Sequence, residues 1–290
     1  MKRVAVFILV VLLGMAFAQN KKEVRKPEAG EAFNQGLGLV KKQKYEEAIP
    51  KFQKALKADA NFPDAQYMLG YCYKKLGDYK KAEQAYRETI KLDANFEKAY
   101  VALGYLLAQE DRKSEAISTY QAVLAKNPKN PKANFGLGKV YYDMKKYKEA
   151  MKYLEQAIEA RPNYTLAYNL LGLTYKNLKK YSQAADAFNK AIKLEKKRSR
   201  KASYYYRLGE TLVQSKKYKE AEAALLQAAK LSTNSTIKAG ANYYLGIVYK
   251  NTGRKQTALK YFAKATKNRK WKAPAEYEID MIKNPDKYAY

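Results

Sequence analysis

The chain has 290 residues, with 57 Lys+Arg against 28 Asp+Glu, a formal charge of +29, a pI near 9.8 and a mean hydropathy of −0.64. Histidine is absent and there is one cysteine, which excludes His-based acid/base catalysis, His-containing triads and metal sites built from His or a cysteine cluster. The length exceeds what one ordinary core organises, so two domains or an array of small units is expected, and the charge should draw the chain to anionic partners.

Lys2 and Arg3 precede an apolar run from Val4 to Phe17 that closes on Ala16-Phe17-Ala18. Basic start, apolar middle and small-residue end read as a secretory signal peptide over 1–18. As a helix, the run from Val4 to Ala18 would be about 22 Å long, short of the roughly 30 Å of a bilayer core. An exported chain, periplasmic or secreted, is therefore expected, with an uncleaved membrane anchor as the alternative. Residues 19–28 are polar and expected to be a flexible lead-in.

After residue 28 one pattern recurs seven times. Its glycines are Gly36, Gly70, Gly104, Gly138, Gly172, Gly209 and Gly246, the first four spacings being 34 and the last two 37. Twelve residues behind runs a row of alanines, Ala48, Ala82, Ala116, Ala150, Ala184, Ala221 and Ala258, followed by a bulky row, Phe52, Tyr86, Tyr120, Leu154, Phe188, Leu225 and Phe262. Apolar residues at helical spacing flank both rows, for example Leu171 and Tyr175, then Phe188 and Ala191. Each unit should thus be two helices. Glycine within a helix costs about 0.5–1 kcal/mol relative to Ala, which a close approach to an alanine of the next helix would offset. The bulky row is expected to fill the space between units. Pro128 and Pro162 should end second helices. Cys72, on an apolar face with Leu69 and Tyr73, reads as a packed small hydrophobe.

The expected units are 29–62, 63–96, 97–130, 131–164, 165–201, 202–238 and 239–272. The stretch Lys193 to Ser203 carries three extra residues with Lys196, Lys197, Arg198, Arg200 and Lys201, and should be a lengthened second helix or a basic elbow. A second insertion, Ser232 to Lys238, reads as a polar loop. At 273–290, Pro274 should open a capping helix over Ala275 to Lys283, led into by Trp271 and stopped by Pro285.

The small/large signature at this period resembles the tetratricopeptide repeat, a helix–turn–helix unit of about 34 residues. The tryptophan common early in that family's first helix is replaced here by Ala32, Gln66, Tyr100, Asn134, Tyr168, Tyr205 and Asn242. The resemblance implies an all-α, right-handed superhelical solenoid whose first helices line a concave groove for an extended peptide or a partner helix. Carried onto this chain, the positions three before, one after and four after each glycine give a groove of Phe33, Leu37, Tyr67, Tyr71, Lys74, Tyr105, Phe135, Lys139, Tyr142, Asn169, Lys176, Tyr206, Tyr243 and Lys250, with Val101, Leu173, Glu210 and Ile247 at the same positions. Ordinary packing between helices is the competing reading for any one of them. The Lys/Asn clamp by which some members hold a terminal carboxylate is not reproduced, because Lys139 and Asn169 stand alone.

Turns within the units carry Lys41, Lys42, Lys75, Lys113, Lys145, Lys146, Lys179, Lys180, Lys216, Lys217 and Lys255, which stacking would line up as a basic ridge or leave as solvated turns. Carboxylates such as Glu46-Glu47 or Glu220 and Glu222 sit among lysines, and no phosphate-binding glycine loop occurs. The sequence calls for no enzyme activity, cofactor or metal. It points to a scaffold of the cell envelope that binds a protein or peptide partner in an aromatic groove. The rival is an electrostatic adaptor to an anionic envelope polymer, polysaccharide or lipid surface. Nucleic acid is disfavoured by export and by the lack of a recognition motif.

Overall fold

A computed structural model describes residues 26–288; the expected signal peptide and most of the lead-in lie outside the described residues. Every regular element among them is helical. The helices come as pairs: α1 (Pro27–Lys41) with α2 (Tyr45–Ala58), α3 (Pro63–Leu76) with α4 (Tyr79–Leu92), α5 (Glu97–Gln109) with α6 (Lys113–Lys126) and α7 (Pro131–Asp143) with α8 (Tyr147–Ala160). They continue as α9 (Thr165–Asn177) with α10 (Tyr181–Leu194), α11 (Arg198–Gln214) with α12 (Tyr218–Leu231) and α13 (Ser235–Asn251) with α14 (Lys255–Ala265). Helix α15 (Arg269–Lys283) follows, then a 3₁₀ turn, Pro285–Tyr288. This is the expected all-α solenoid of helix pairs.

The chain forms two compact units, one up to Leu103 and one from Gly104 onward. In the first, α1 packs on α2, α2 on α3 and α3 on α4. Its core gathers Ala29, Ala55, Phe62 and Ala65, and separately Ala48, Phe52, Leu69 and Cys72. In the second, an apolar cluster runs from Leu154 through Phe188, Leu225 and Phe262 to Ala275.

Local chemistry explains the helix starts. Pro27, Pro63 and Pro131 occupy first-turn positions where a missing N–H costs nothing. Asp78, Asn130, Asn234 and Asn268 cap α4, α7, α13 and α15 by accepting backbone N–H bonds through their side chains. Each turn within a pair holds one residue in the left-handed region: Gln43, Gly77, Asp111, Lys145, Lys179, Lys216 and Gly253, with φ between 58° and 84°. All seven lie two residues before the next helix begins.

The register glycines serve a different contact from the one expected. A Cβ on Gly172 would lie 2.6 Å from a ring carbon of Phe188, and one on Gly246 2.5 Å from Phe262. In every unit the atom met is the bulky residue sixteen positions later, from Phe52 through Phe262, and not the alanine. The bulky row therefore fills a notch in its own pair, besides contacts to neighbours, because glycine is the one residue that leaves room for a ring at that spot.

Four boundaries also differ. Helix α1 opens at Pro27, inside the expected lead-in, because Ala29 is buried in the first core cluster. The extra residues after Lys193 lengthen neither a second helix nor an elbow. Helix α10 ends at Leu194, Glu195 accepts N–H bonds from Lys196 and Lys197 at 3.0 and 2.9 Å, and α11 starts at Arg198, so the insertion extends the next first helix and the expected 201/202 junction falls inside it. The expected polar loop 232–238 shrinks to 232–234, since Asn234 caps α13 and 238/239 is helical. Finally, α15 begins at Arg269, ahead of Pro274, which sits exposed within the helix; the Asn268 cap and the anchoring of Trp271 set the earlier start.

Candidate partner-binding face

In the unit from Gly104 onward, successive first helices are tied directly to one another. Asn177 of α9 donates to the Tyr142 hydroxyl of α7 at 3.3 Å. Arg207 of α11 donates to the Asn169 side-chain oxygen of α9. Lys176 of α9 meets Glu210 of α11 at 2.8 Å, and the Tyr244 hydroxyl of α13 donates to the other oxygen of Glu210 at 3.1 Å. Lys250 of α13 meets Glu278 of α15 at 2.6 Å. Of the expected positions, Tyr142, Asn169, Lys176 and Lys250 thus each bond to the next first helix or to α15.

The aromatic members are half-buried. Phe135 packs on Tyr164 with centroids 5.0 Å apart, Tyr142 on Tyr147 at 5.6 Å, and Tyr206 on Tyr244 at 6.0 Å. Tyr243 stacks on Trp271 at 5.0 Å, and the Trp271 indole N–H donates to the Thr236 carbonyl at 3.1 Å. Gly240 opens space for this arrangement, since a Cβ there would come within 2.9 Å of both Trp271 and Tyr206. Burial raises the phenol pKa values of Tyr142, Tyr206, Tyr243 and Tyr244 and lowers that of the Arg207 guanidinium, desolvation disfavouring each charged form. Tyr105 is 47% exposed, and Lys139 is exposed beside Asp143 at 2.5 Å.

In the unit up to Leu103 the corresponding residues lean inward. Phe33 packs on Phe52 and Phe62, Leu37 lies against the cluster around Phe52, and Tyr67 lies 5.7 Å from Tyr86 and 5.4 Å from Phe96. Tyr71 is half-buried with the Lys75 ammonium 5.5 Å from its ring centroid, and burial, then the neighbouring Lys75, lowers the Lys74 pKa. Burial pushes the Cys72 thiol up to about 11, in keeping with a packed residue.

Sequence reasoning missed Arg207 and Tyr244, both two residues before a register glycine, and Glu278, the partner of Lys250. Adding that one position to the pattern would have found the first two; Glu278 lies past the last period and had no periodic signal. Of the turn cations, Lys41, Lys42, Lys145, Lys146, Lys179, Lys180, Lys216, Lys217 and Lys255 are exposed, whereas Lys113 contacts Asp111 at 2.6 Å. Among the described residues no His/Cys/Asp/Glu group could hold a metal ion, and no helix is long and apolar enough to cross a membrane.

The family described as tetratricopeptide repeat matches residues 39–109, 106–173 and 165–197. The chain belongs to the tetratricopeptide repeat family. Residues 193–283 also match a family described as the TT21 fifth ARM repeats domain, another helical repeat. No curated protein matches the chain. Among solved structures, the chain is similar to the C-terminal part of a TPR repeat-containing protein from Cytophaga hutchinsonii, at 21% identity over 85% of this chain and 99% of that one, with a TM-score of 0.66. It is also similar to pilF of Pseudomonas aeruginosa, at 22% identity, 77% and 97% coverage and a TM-score of 0.62. A third likeness is to MamA of Desulfovibrio magneticus RS-1, at 22% identity, 59% and 97% coverage and a TM-score of 0.53. These likenesses fix the tetratricopeptide fold.

Proposed function

We propose that the protein is a non-enzymatic interaction scaffold of the cell envelope, exported by its N-terminal segment, whose first-helix face binds a peptide segment or helix of another envelope protein. The observation that carries this reading is the set of bonds between successive first helices, Asn177 to Tyr142, Arg207 to Asn169, and Lys176 and Tyr244 to the two oxygens of Glu210, which holds aromatic and polar side chains in fixed positions. A surface ordered in advance loses little side-chain entropy on binding, and tyrosine supplies rigid area with a hydroxyl. Lys176 and Lys250 already have carboxylate partners, so the face favours a largely uncharged aromatic and hydrogen-bonding contact over capture of an anion.

Crosslinking in the native envelope followed by mass spectrometry should identify the partner, and a double variant, Tyr105→Ala with Phe135→Ala, should abolish its capture while circular dichroism still shows a folded chain, the lost Phe135–Tyr164 packing lowering the melting temperature. Undiminished capture by that variant would sink the reading. A second reading, the basic ridge as adaptor to an anionic envelope surface, is favoured by the exposure of Lys145, Lys146, Lys179 and Lys216. On that reading capture falls steeply with salt and survives the aromatic double variant.

A further inference from the structure

From Ala223 to Ala275 the sequence contains eleven Lys and Arg and no Asp or Glu. Three of those cations reach carboxylates outside the stretch: Lys250 to Glu278, Arg254 to Glu222 at 2.7 Å and Lys272 to Glu276 at 4.0 Å. The others concentrate on α14 and the turn into α15, where Lys255, Lys260, Lys264, Lys267, Arg269 and Lys270 are all exposed. Every other second helix carries at least one acidic residue of its own, from Glu46 in α2 to Asp186 in α10 and Glu220 in α12; α14 carries none. Lys260 and Lys264, four residues apart, share one flank of α14, and Lys267 follows in the exposed turn after Ala265. On that flank the Lys264 ammonium lies 4.4 Å from the ring centroid of half-buried Tyr261, which packs on Tyr249 at 5.0 Å.

We propose that this acid-free flank of α14 is a docking face for an anionic bilayer surface. Its sign and exposure require an anionic partner. Its form argues for a surface over a discrete ligand, since the flank offers point-charge lysines without a forked guanidinium cradle. A bilayer spreads charge over an area that such lysines meet without fixed pairing, each contributing independently to attraction within a Debye length. The tyrosine between them suits headgroup depth, where an aromatic ring with a polar tip is favoured. This inference is independent of the first-helix face, because α14 is a second helix, and of the turn ridge apart from the shared Lys255.

The test is co-sedimentation of the purified full chain with phosphatidylcholine vesicles that do or do not contain phosphatidylglycerol, with polyphosphate as a soluble competitor. The chain should bind the anionic vesicles more tightly than the neutral ones. The triple variant Lys260→Glu, Lys264→Glu, Lys267→Glu should weaken that anionic preference by about a hundredfold or more. A control variant, Lys145→Glu, Lys146→Glu, Lys179→Glu, should keep most of it, and circular dichroism should show both variants folded. Equal binding to neutral vesicles overturns the proposal, as does an equal loss in the control variant. Polyphosphate that displaces the chain at a lower charge concentration than the vesicles require also overturns it, in favour of a soluble polyanion.

Discussion

A glycine and a ring sixteen residues apart make the smallest complete contact in this protein. Because Phe188 is fully buried against Gly172, Gly172→Ala has nowhere to put its methyl group, and denaturant titration should show a loss of about 1–3 kcal/mol despite alanine's better helix propensity. Tyr86 holds the same place in its unit but buries a hydroxyl that has no hydrogen-bond partner. Where Phe52, Phe188 and Phe262 show that a ring without a hydroxyl suits the notch, Tyr86→Phe should raise stability by about 1 kcal/mol in the same measurement. The positions of both residues were legible from the period alone. Which atoms meet was not, because a repeating sequence fixes spacing along the chain while the rotation of one helix against its partner depends on all the side chains between them.

Among the elements, the turns within pairs are more uniform than the helices they join. Lys145, Lys179 and Lys216 occupy left-handed backbone where the second and seventh turns use Gly77 and Gly253, so Lys179→Gly should relieve strain and raise the thermal midpoint, by roughly 0.5–1 kcal/mol of stability. A ridge lysine is therefore also a backbone device, which charge patterning alone could not reveal. Between pairs, Glu222 of α12 accepts bonds from Arg254 at 2.7 Å and from the Tyr249 hydroxyl at 2.8 Å. The Arg254 hydrogen bond is the main cause holding its carboxyl below the usual range. A depressed carboxyl pKa stabilises the fold above the unfolded value, roughly 4.3, and that contribution fades as pH falls through the folded value. Melting curves from pH 6 down to pH 3 should accordingly fall less steeply for Glu222→Gln than for the parent chain. The sequence located Glu222 on a helix surface among lysines, but its contact with Tyr249 spans 27 residues and lies outside any local pattern.

At the scale of the whole molecule, a repeat array is stabilised by contacts between neighbours, so its last member must be covered. Helix α15 does this with Trp271 stacked on Tyr243 and Ala275 fully buried. Ending the chain at Asn268 should lower the melting temperature by several degrees and weaken the near-ultraviolet circular dichroism, by loss of Trp271 and of the ordering it gives Tyr243 and Tyr244. The seven-fold period, the helical class and the need for a C-terminal cap could all be read from the sequence. The cap's true start could not, because Pro274 outweighs Asn268 as a sequence signal, whereas in the folded chain the Asn268 cap and the Trp271 anchor set the start and the helix runs through Pro274 despite the lost bond to Lys270 and the crowding of its carbonyl.

The seven left-handed residues have a practical consequence for altering the chain. Each fixes the exit of one helix two residues ahead of the next, so the hairpin inside a pair admits no change of length. The two natural enlargements of the period, by contrast, both fall between pairs and were absorbed by starting the following helix earlier, at Arg198 and at Ser235. Foreign sequence, such as a reporter domain or a protease site, belongs in those joints: spliced at Thr233 it should leave the repeats folded, whereas the same cargo placed at Lys216 should unseat the pair around it.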